Sequence, residues 1–414
     1  MSNLDKYWTI RGNSEKAEVF TPPSLVKEML DKIPEEIWKS SETTFLDPCF
    51  GSGTFIRYII KKLREYGHSD ENISKRIWGI DISKKWYNRV KHFKVGKYNI
   101  NNIYCCDSLK THILDNMKFD VIVGNPPYQG ESKKGGFGSG NAIWHKFVES
   151  AYESLKEGGY LCFVHPIDWR TDTIKKKIKG VRDILWSNQM EYVKMATAPF
   201  PGVRVLVDWY ILKKESKSKK TRVEFLDGER EIFLENPPLF SYGNEIVESI
   251  KNKVLKDSDN GLIRNQFLWI DKSKEGGKYK YAHGTKYTKD EWKYFSAPHK
   301  DQFTQKVIMS SVRKPRPIFD SGNLGIGGHV HYIPVKNKME GDFLISVINS
   351  KLGTFLQKIF CTGFWDGDSS YWNNPFPISK IKIDDKKLNG DRDVFDYFSL
   401  TPEEVDYINQ ELSK

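Results

Sequence analysis

Cysteine is scarce in this chain, and its placement argues against two common ways of stabilising a protein. The 414 residues contain five cysteines, and none of them forms a Cys-x-x-Cys pair. Such spacing argues against a zinc site and a disulfide framework, and it favours a reducing compartment. We therefore expect no bound metal and a cytoplasmic protein. The cysteines are Cys49, Cys105, Cys106, Cys162 and Cys361.

Long apolar segments are missing as well. The sequence has no run of about 18 apolar residues, the length that a membrane-spanning helix requires. Its N-terminal residues do not combine a basic start with an apolar stretch, as a secretory signal peptide does. The sequence therefore predicts a protein with no membrane partner.

Two nucleotide-binding patterns are incomplete or absent. A short apolar strand ends at Asp47, and a Gly-x-Gly turn with Gly51 and Gly53 opens a helix predicted over residues 55–65. The third glycine of the dinucleotide fingerprint is missing, and so is the Gly-Lys-Ser/Thr of a phosphate-cradling loop. The glycines would still let the backbone approach a ligand closely at a helix N-terminus.

What the chain has in abundance is positive charge and aromatic rings. Its net charge is +11, and it contains 12 Trp, 20 Tyr and 24 Phe. An excess of lysine and arginine indicates a polyanionic partner, although many soluble proteins share it. Basic and aromatic residues alternate within residues 278–281, 286–287 and 313–316. This mixture suits contacts to phosphates and bases, but solvated strands would look similar.

Polar side chains follow four predicted strands at the point where each strand ends. They are Asp47, Asp81, Asp107 and Asn125, in chain order. In an open α/β sheet the carboxyl ends of the strands line one crevice, so we expect these side chains to meet there. There, Asp81 could accept both hydroxyls of a ribose, and Asp107 the amino group of an adenine. Taken singly, Asp81 could instead cap a helix, and Asp107 could be an ordinary loop carboxylate.

The sequence Asn125-Pro126-Pro127-Tyr128 follows the fourth of these strands. Two prolines fix two successive φ angles, and Pro126 keeps Asn125 out of the helical region. The result is a rigid corner that carries an amide, a backbone carbonyl and an aromatic ring. It suits a planar substrate with an amino group. A simple Pro-Pro turn is the alternative.

The sequence predicts three further features: the start of a helix, a glycine-rich loop and a histidine at a strand end. Thr21 is predicted to cap a helix that begins at Pro22. Residues 130–141 form a glycine-rich loop that could close over a substrate, or serve as a plain connector. His165 is predicted to be a polar residue at a strand end rather than a catalytic base.

The lysine-rich residues 213–220 are predicted to separate two domains. Residues 1–212 would form a catalytic domain whose final strand covers residues 203–212. Residues 213–414 would form a second domain with short strands. The alternative is that residues 213–220 are a solvated hairpin turn between two strands.

These motifs resemble those of the adenine-specific DNA methyltransferases that use S-adenosylmethionine, in the gamma order of motifs. The resemblance covers roughly residues 17–212. It implies a Rossmann-like α/β methyltransferase sheet with helices on both faces, followed by a mixed α+β target-recognition domain that binds double-stranded DNA. It also assigns roles to individual residues. Cofactor binding falls to Phe20, Thr21, Pro22, Asp47, Gly51, Gly53, Asp81, Asp107 and Ser108, catalysis to Asn125, Pro126 and Tyr128, and stacking on the target base to Tyr128 and Phe200.

The implied reaction is direct methyl transfer to the N6 amine of an adenine flipped out of the duplex. Asn125 and the carbonyl of Pro126 would accept the two N–H bonds and stabilise the developing positive charge. No covalent enzyme intermediate is needed. The enzyme would act in a restriction-modification system or as an orphan methylase, and a separately encoded cognate restriction endonuclease is compatible with this length.

Three other functions remain open from the sequence. Protein glutamine methyltransferases also carry Asn-Pro-Pro-Tyr, but they are usually shorter, with an extra domain before the cofactor motifs. Methylation of adenine in RNA would use the same motifs. A nucleic-acid-binding module with an inactive cofactor site is the third, and the intact Asp47, Gly51, Gly53, Asp81 and Asn125 argue against it.

Overall fold

The chain folds into two compact units, Met1–Leu239 and Phe240–Lys414. The computed structural model describes residues 20–130, 142–170, 178–197, 199–200, 206–234, 241–258, 260–261, 263–264, 275–284, 291–310, 315–328, 330–360 and 378–414. Most of the glycine-rich loop, residues 131–141, lies outside these ranges, as do residues 286–287 and 313–314 of the basic, aromatic segments.

The first unit is built on a nine-stranded sheet. Its described strands are β1 (Phe45–Asp47), β2 (Ile77–Asp81), β3 (Lys94–Val95), β4 (Tyr98–Asn99), β5 (Asn102–Cys105), β6 (Phe119–Gly124), β7 (Leu155–Pro166), β8 (Asn188–Thr197), β9 (Val207–Ser216), β10 (Thr221–Phe225) and β11 (Gly228–Ile232). The order across the sheet is β11-β10-β8-β9-β7-β6-β1-β2-β5, while β3 and β4 form a separate hairpin. The strands from β7 to β5 are all parallel.

Helices cover both faces of this sheet. They are α1 (Pro23–Asp31), α2 (Glu35–Lys39), α3 (Thr54–Glu65), α4 (Asp70–Lys75), α5 (Lys84–Val90), α6 (Trp144–Glu153) and α7 (Lys179–Ser187). Successive strand residues point to opposite faces. Accordingly, Phe45 and Val121 pack with α1, α3 and α5 in one apolar cluster, whereas Leu46 and Ile122 pack with α6 and α7 in another. The predicted α/β sheet with helices on both faces is confirmed.

The predicted domain boundary after residue 212 is corrected by the structure. That position lies inside β9, and two further strands, β10 and β11, belong to the same sheet. The first half of the lysine-rich segment ends β9, and the second half leads to β10, which pairs with β8 rather than β9. The segment therefore stays within one sheet, but it is not the hairpin turn of the alternative interpretation. The charges misled the prediction because a solvated connection and a linker between domains have the same composition.

The start of α1 also differs from the prediction. The first helical residue is Pro23, and the capping position is taken by Pro22, with no side-chain hydrogen bond. Thr21 lies before the cap and is buried. The sequence has two successive prolines, and either fits the first turn of a helix, so the pattern alone did not fix the first residue.

The second unit combines two small sheets with helices, as the expected α+β character requires. A four-stranded sheet has the order β12-β18-β15-β16, and a three-stranded sheet the order β14-β13-β17. Its strands are β12 (Ile263–Arg264), β13 (Glu275–Ala282), β14 (Lys293–Phe295), β15 (Lys306–Ser310), β16 (Ile318–Asp320), β17 (Gly325–Ile326) and β18 (Val330–Pro334). Its helices are α8 (Glu245–Val254), α9 (Lys338–Asn349), α10 (Lys351–Phe360), α11 (Gly390–Tyr397) and α12 (Pro402–Ser413).

A fully buried lysine organises one loop of this second unit. The Lys306 ammonium donates to the carbonyls of Asp301, Gln302 and Thr304 at 2.9, 3.0 and 2.9 Å. It also lies 2.7 Å from the carboxylate of Asp320. Four oxygens thus compensate the loss of water around the charge. The loop carries the ring of Phe303, which is 72% exposed.

Candidate active site

The four strand-end side chains lie along one edge of the sheet. In parallel register, Asp47 lies opposite Gly79 of β2, and Asp81 opposite Cys105 of β5. On its other side, β1 pairs with β6. The order along the edge is therefore Asn125, Asp47, Asp81 and Asp107. The expectation that the four strand ends share one edge of the sheet is confirmed, whereas the crevice and the individual roles of these residues stay predictions.

Asp81 fixes the glycine turn. One of its carboxylate oxygens accepts the backbone N–H of Gly51 at 2.8 Å, and the other accepts that of Ser83 at 2.7 Å. Gly51 and Gly53 have positive φ angles of 50° and 77°. A Cβ on Gly53 would lie 2.7 Å from the Phe93 ring, whereas one on Gly51 would meet open space. The turn thus needs glycine for its backbone and keeps room beside Gly51 for a ligand.

Asp47 is a buried carboxylate with an unused oxygen. Its side chain accepts one hydrogen bond, from the Cys49 backbone N–H at 3.2 Å. Within the described part of the chain, its Oδ2 atom is buried and has no hydrogen-bond partner. Burial raises the pKa of this carboxyl to about 8, and the nearby Asp81 charge adds to the shift. A buried acceptor of this kind suits a cationic group of a ligand.

Asn125 stands beside Asp47. A Cβ on Gly124, the last residue of β6, would lie 3.3 Å from the Cys49 sulfur and 3.4 Å from an Asp47 carboxylate oxygen. Gly124, which precedes Asn125, therefore lies close to the Asp47 carboxylate. The side-chain oxygen of Asn125 is buried, Pro126 is buried and Pro127 is exposed. The rigid corner thus places an amide next to the buried acid.

Tyr128 and Phe200 meet at the site, although they come from distant parts of the sequence. Their ring centroids are 6.3 Å apart, and the ring planes are inclined by 69°. Burial raises the pKa of Tyr128, whose hydroxyl has no hydrogen-bond partner among the described residues. The structure brings together the two rings predicted to stack on a base. A base between two parallel rings requires one of them to turn, because here they pack edge to face.

The segment after Tyr128 returns to the same place. The Tyr128 carbonyl accepts the backbone N–H of Ile143 at 3.1 Å, and Gln129 pairs with Ala142. These contacts join the two ends of the glycine-rich loop beside the candidate site. The interpretation of this loop as a lid stays a prediction.

The remaining predicted cofactor residues flank the acids. The Phe20 ring packs edge to face on Trp86 of α5, the helix that follows Asp81, at 5.2 Å. Asp107 accepts the backbone N–H of Leu109 at 3.1 Å and lies 2.9 Å from the Lys110 ammonium. Both Asp107 and the adjoining Ser108 are half-buried. Asp107 therefore stabilises the turn in which it lies, and its side chain remains partly exposed.

His165 has a structural environment. Its ring stacks on Trp144 at 4.3 Å, and its nitrogens lie 3.1 Å from the Tyr210 hydroxyl and 3.0 Å from the Pro166 carbonyl. Burial lowers the pKa of His165 to about 4. The prediction that it is a strand-end residue rather than a catalytic base agrees with this packing.

Sequence reasoning missed a buried ion pair at the same edge of the sheet. The Arg170 guanidinium, in the short 3₁₀ helix that follows β7, lies 2.6 Å from the carboxylate of Asp208 at the start of β9. The side chains are 4% and 0% exposed. The available signal was Asp208 itself, because a lone acid in the apolar run of residues 203–212 needs a buried partner.

The described residues contain neither a candidate metal site nor a membrane-spanning helix. No three His, Cys, Asp or Glu side chains come together there in a group that could hold a metal ion. Within the same ranges, no helix has the length and apolar character needed to cross a membrane.

Comparison with known proteins identifies part of the chain. The family model described as Eco57I restriction-modification methylase matches residues 52–194. This segment is similar to restriction-modification methylases. The resemblance inferred from the motifs is thereby confirmed. The matched segment contains Gly53, Asp81, Asp107 and Asn125, whereas Asp47 and Phe200 lie outside it.

Two curated relatives are similar to this chain. An uncharacterized adenine-specific methylase of Mycoplasma pneumoniae is 25% identical, over 40% of this chain and 60% of the relative. The type II methyltransferase M.VspI of Vibrio sp. strain 343 is 24% identical, over 58% of this chain and 62% of the relative. The chain thus spans about three fifths of the length of these relatives.

Solved structures of restriction-modification enzymes are also similar to the chain. The type IIL enzyme MmeI, solved in complex with DNA, matches with a TM-score of 0.49 and 12% identity, over 84% of this chain and 63% of that one. The M protein of the type I enzyme EcoKI matches with a TM-score of 0.39 and 14% identity, over 51% of this chain and 49% of that one.

Proposed function

We propose that this chain is a site-specific DNA methyltransferase that transfers a methyl group from S-adenosylmethionine to the N6 amine of adenine. The observation that carries the proposal is the buried, unpartnered oxygen of Asp47 beside the strand end that presents Asn125. One position suits a cationic cofactor, and its neighbour suits a planar amine. The methylase family match and the net charge of +11 support the same activity.

The donor set of the crevice fits this cofactor. S-adenosylmethionine supplies an electrophilic methyl group on a positively charged sulfur, and it also carries an ammonium. Asp47 would pair with the ammonium, and Asp81, which also accepts the N–H groups of Gly51 and Ser83, would accept the ribose hydroxyls. Asp107 and Ser108 would border the adenine of the cofactor.

The other predicted cofactor residues would complete this site. Phe20, Thr21 and Pro22 would cover the methionine part, with Phe20 held by its contact with Trp86. The open space beside Gly51 would let the backbone approach the cofactor.

Asn125 and Pro126 would prepare the amine for attack. The exocyclic nitrogen of adenine is a weak nucleophile because its lone pair is delocalised into the ring. Two acceptors, the Asn125 side-chain oxygen and the Pro126 carbonyl, favour the pyramidal nitrogen and stabilise its positive charge as the N–C bond forms. When bound, S-adenosylmethionine would supply the methyl group and leave as a neutral thioether, and the methylated nitrogen would release its extra proton to water. Tyr128 and Phe200 would hold the base between their rings once they turn parallel.

The decisive experiment is single-molecule sequencing of DNA from a bacterial host that expresses the protein. We expect methylated adenine in one sequence context, which also gives the recognition sequence. Unmodified DNA together with methylated adenine in RNA, or methylated glutamine in protein, would overturn the proposal. Binding of S-adenosylmethionine is measured separately by isothermal titration, and its absence would indicate an inactive cofactor site.

Asn125→Ala tests the assigned chemistry in the purified protein. Loss of one preorganised hydrogen-bond partner of a developing charge lowers a rate by about 10²–10³-fold. We expect that loss in the rate of adenine methylation, with cofactor affinity changed by about twofold or less, since Asn125 acts on the substrate. Asn99→Ala, at an exposed asparagine of β4, is the matched control and should keep full activity.

A further inference from the structure

The chain approaches Phe200 through a bulge at the end of β8. Lys194 pairs with Trp209 of β9, and the next pair is Thr197 with Val207. Met195 and Ala196 therefore both oppose the single residue Asp208. Two residues against one is the definition of a β-bulge, which bends its strand and redirects the side chains that follow.

Ala196 holds an unusual backbone conformation within this bulge. Its φ angle is 51°, in the left-handed region that residues with a Cβ rarely adopt. Its N–H donates to a carboxylate oxygen of Asp208 at 2.7 Å, and its methyl group is buried. The hydrogen bond to a charged acceptor offsets the cost of this conformation.

Asp208 connects the bulge to the end of the neighbouring strand. Its other carboxylate oxygen accepts the Arg170 Nε–H at 2.6 Å and the Trp169 indole N–H at 2.9 Å. Both donors lie in the short helix directly after β7. One fully buried carboxylate thus joins the ends of three adjacent strands at the edge where Asn125 stands.

We infer that Asp208 and Ala196 are positioning residues that place Phe200 against Tyr128. Phe200 lies four residues beyond Ala196 and is buried. Its ring packs against the Tyr128 ring, with the two ring centroids 6.3 Å apart. A fixed bulge sets the direction in which this segment leaves the sheet. The inference rests on the proposed adenine methylation, in which these two rings receive the target base.

The test is a double-mutant cycle with Ala196→Val and Phe200→Ala in the full-length protein. A β-branched residue disfavours the positive φ, so Ala196→Val should lower kcat/KM for DNA by about tenfold or more. Cofactor affinity should change by about twofold or less, because the proposed cofactor residues lie on other strands. The DNA carries the adenine context found methylated in the expressing host.

The coupling distinguishes positioning from plain stabilisation. If the bulge acts through Phe200, Ala196→Val changes kcat/KM by less than about threefold when Phe200 is already alanine. Ala196→Gly retains the N–H and the positive φ and should keep wild-type activity. Should Ala196→Val fail to fold, Arg170→Lys, which keeps the charge but loses the fixed fork, replaces it in the cycle.

Additive effects of the two substitutions would overturn the inference, and so would equal losses in Ala196→Gly and Ala196→Val. Neither result touches the proposed function, because the wild-type protein would still methylate adenine. A wild-type protein that methylates no adenine overturns the proposed function instead.

Discussion

Two buried carboxylates at one edge of the sheet, Asp47 and Asp208, differ in how completely they are paired. Asp208 accepts hydrogen bonds from Arg170, Trp169 and Ala196. Asp47 accepts one, from the Cys49 backbone, and its second oxygen has no partner within the described residues. A fully paired buried charge can serve the fold, whereas a half-paired one is costly until a ligand arrives. The difference in pairing therefore indicates that Asp208 is a structural carboxylate of the fold and that Asp47 belongs to a binding site.

The largest effect is expected when the framework carboxylate loses its charge. Asp208→Asn would remove the charge that pairs with the buried Arg170 guanidinium at 2.6 Å, so the free energy of unfolding should fall by about 3–5 kcal/mol. Urea denaturation followed by circular dichroism measures the change. The control is Asp31→Asn, at an exposed ion pair with Lys27, for which a loss of about 1 kcal/mol or less is expected. Equal losses in the two variants would remove the contrast.

Neutralising the binding-site carboxylate, Asp47, should instead stabilise the cofactor-free protein above about pH 4. The pKa of Asp47 is about 8 in the folded protein, above its unfolded value near 3.8. Its contribution to stability is therefore complete below about pH 4 and is lost as the pH rises toward 8. Across this window the cofactor-free wild type should lose up to about 1.4 kcal/mol per pH unit relative to Asp47→Asn.

Parallel urea titrations of wild type and Asp47→Asn between pH 4 and 9 measure this difference, and above pH 8 it should level off. A difference that is independent of pH would mean that the carboxyl is not held protonated in the folded protein. The same Asp47→Asn variant should lose most of its affinity for S-adenosylmethionine, although it folds normally.

The smallest effect concerns the proton of Asp47. Binding of a cation should lower its pKa, so binding of S-adenosylmethionine at pH 7 should release about one proton. The dissociation constant should then fall by up to about tenfold per pH unit between pH 5.5 and 6.5, where the cofactor's own amine, with a pKa of about 7.7–8.0, stays charged. Titration calorimetry in buffers of different ionisation enthalpy counts the proton. If no proton is released, the cationic group of the cofactor does not bind at Asp47.

The parts of this fold that follow from local patterns were predictable. Strand-like runs followed by Asp47, Asp81, Asp107 and Asn125 predicted four parallel strands and their common edge, because side-chain alternation and parallel connection determine where strand ends meet. The helix expected over residues 55–65 is α3, one residue longer.

Features that depend on pairing between strands were not predictable. The bulge at Ala196 exists only through the register of β8 against β9, and no local pattern marks an alanine with positive φ. Asp208 signalled a buried charge, but its partner Arg170 is 38 residues away in sequence. The sequence also did not predict that the sheet extends through β10 and β11, because both strands follow a run of lysines whose composition resembles that of a linker.

In the second unit, Lys306 holds its loop as a bound metal ion would, through the carbonyl groups of Asp301, Gln302 and Thr304. Every amino acid supplies the same carbonyl, and further support comes from the side chains of Asp301 and Gln302, which bond Tyr332 and Asn323. The exposed side chains of Phe303, Thr304 and Gln305 take no part in these bonds. Phe303 and its exposed neighbours can therefore change in evolution while the backbone stays in place. For a unit proposed to recognise DNA sequence, such a loop is a route by which new specificities can arise through single substitutions.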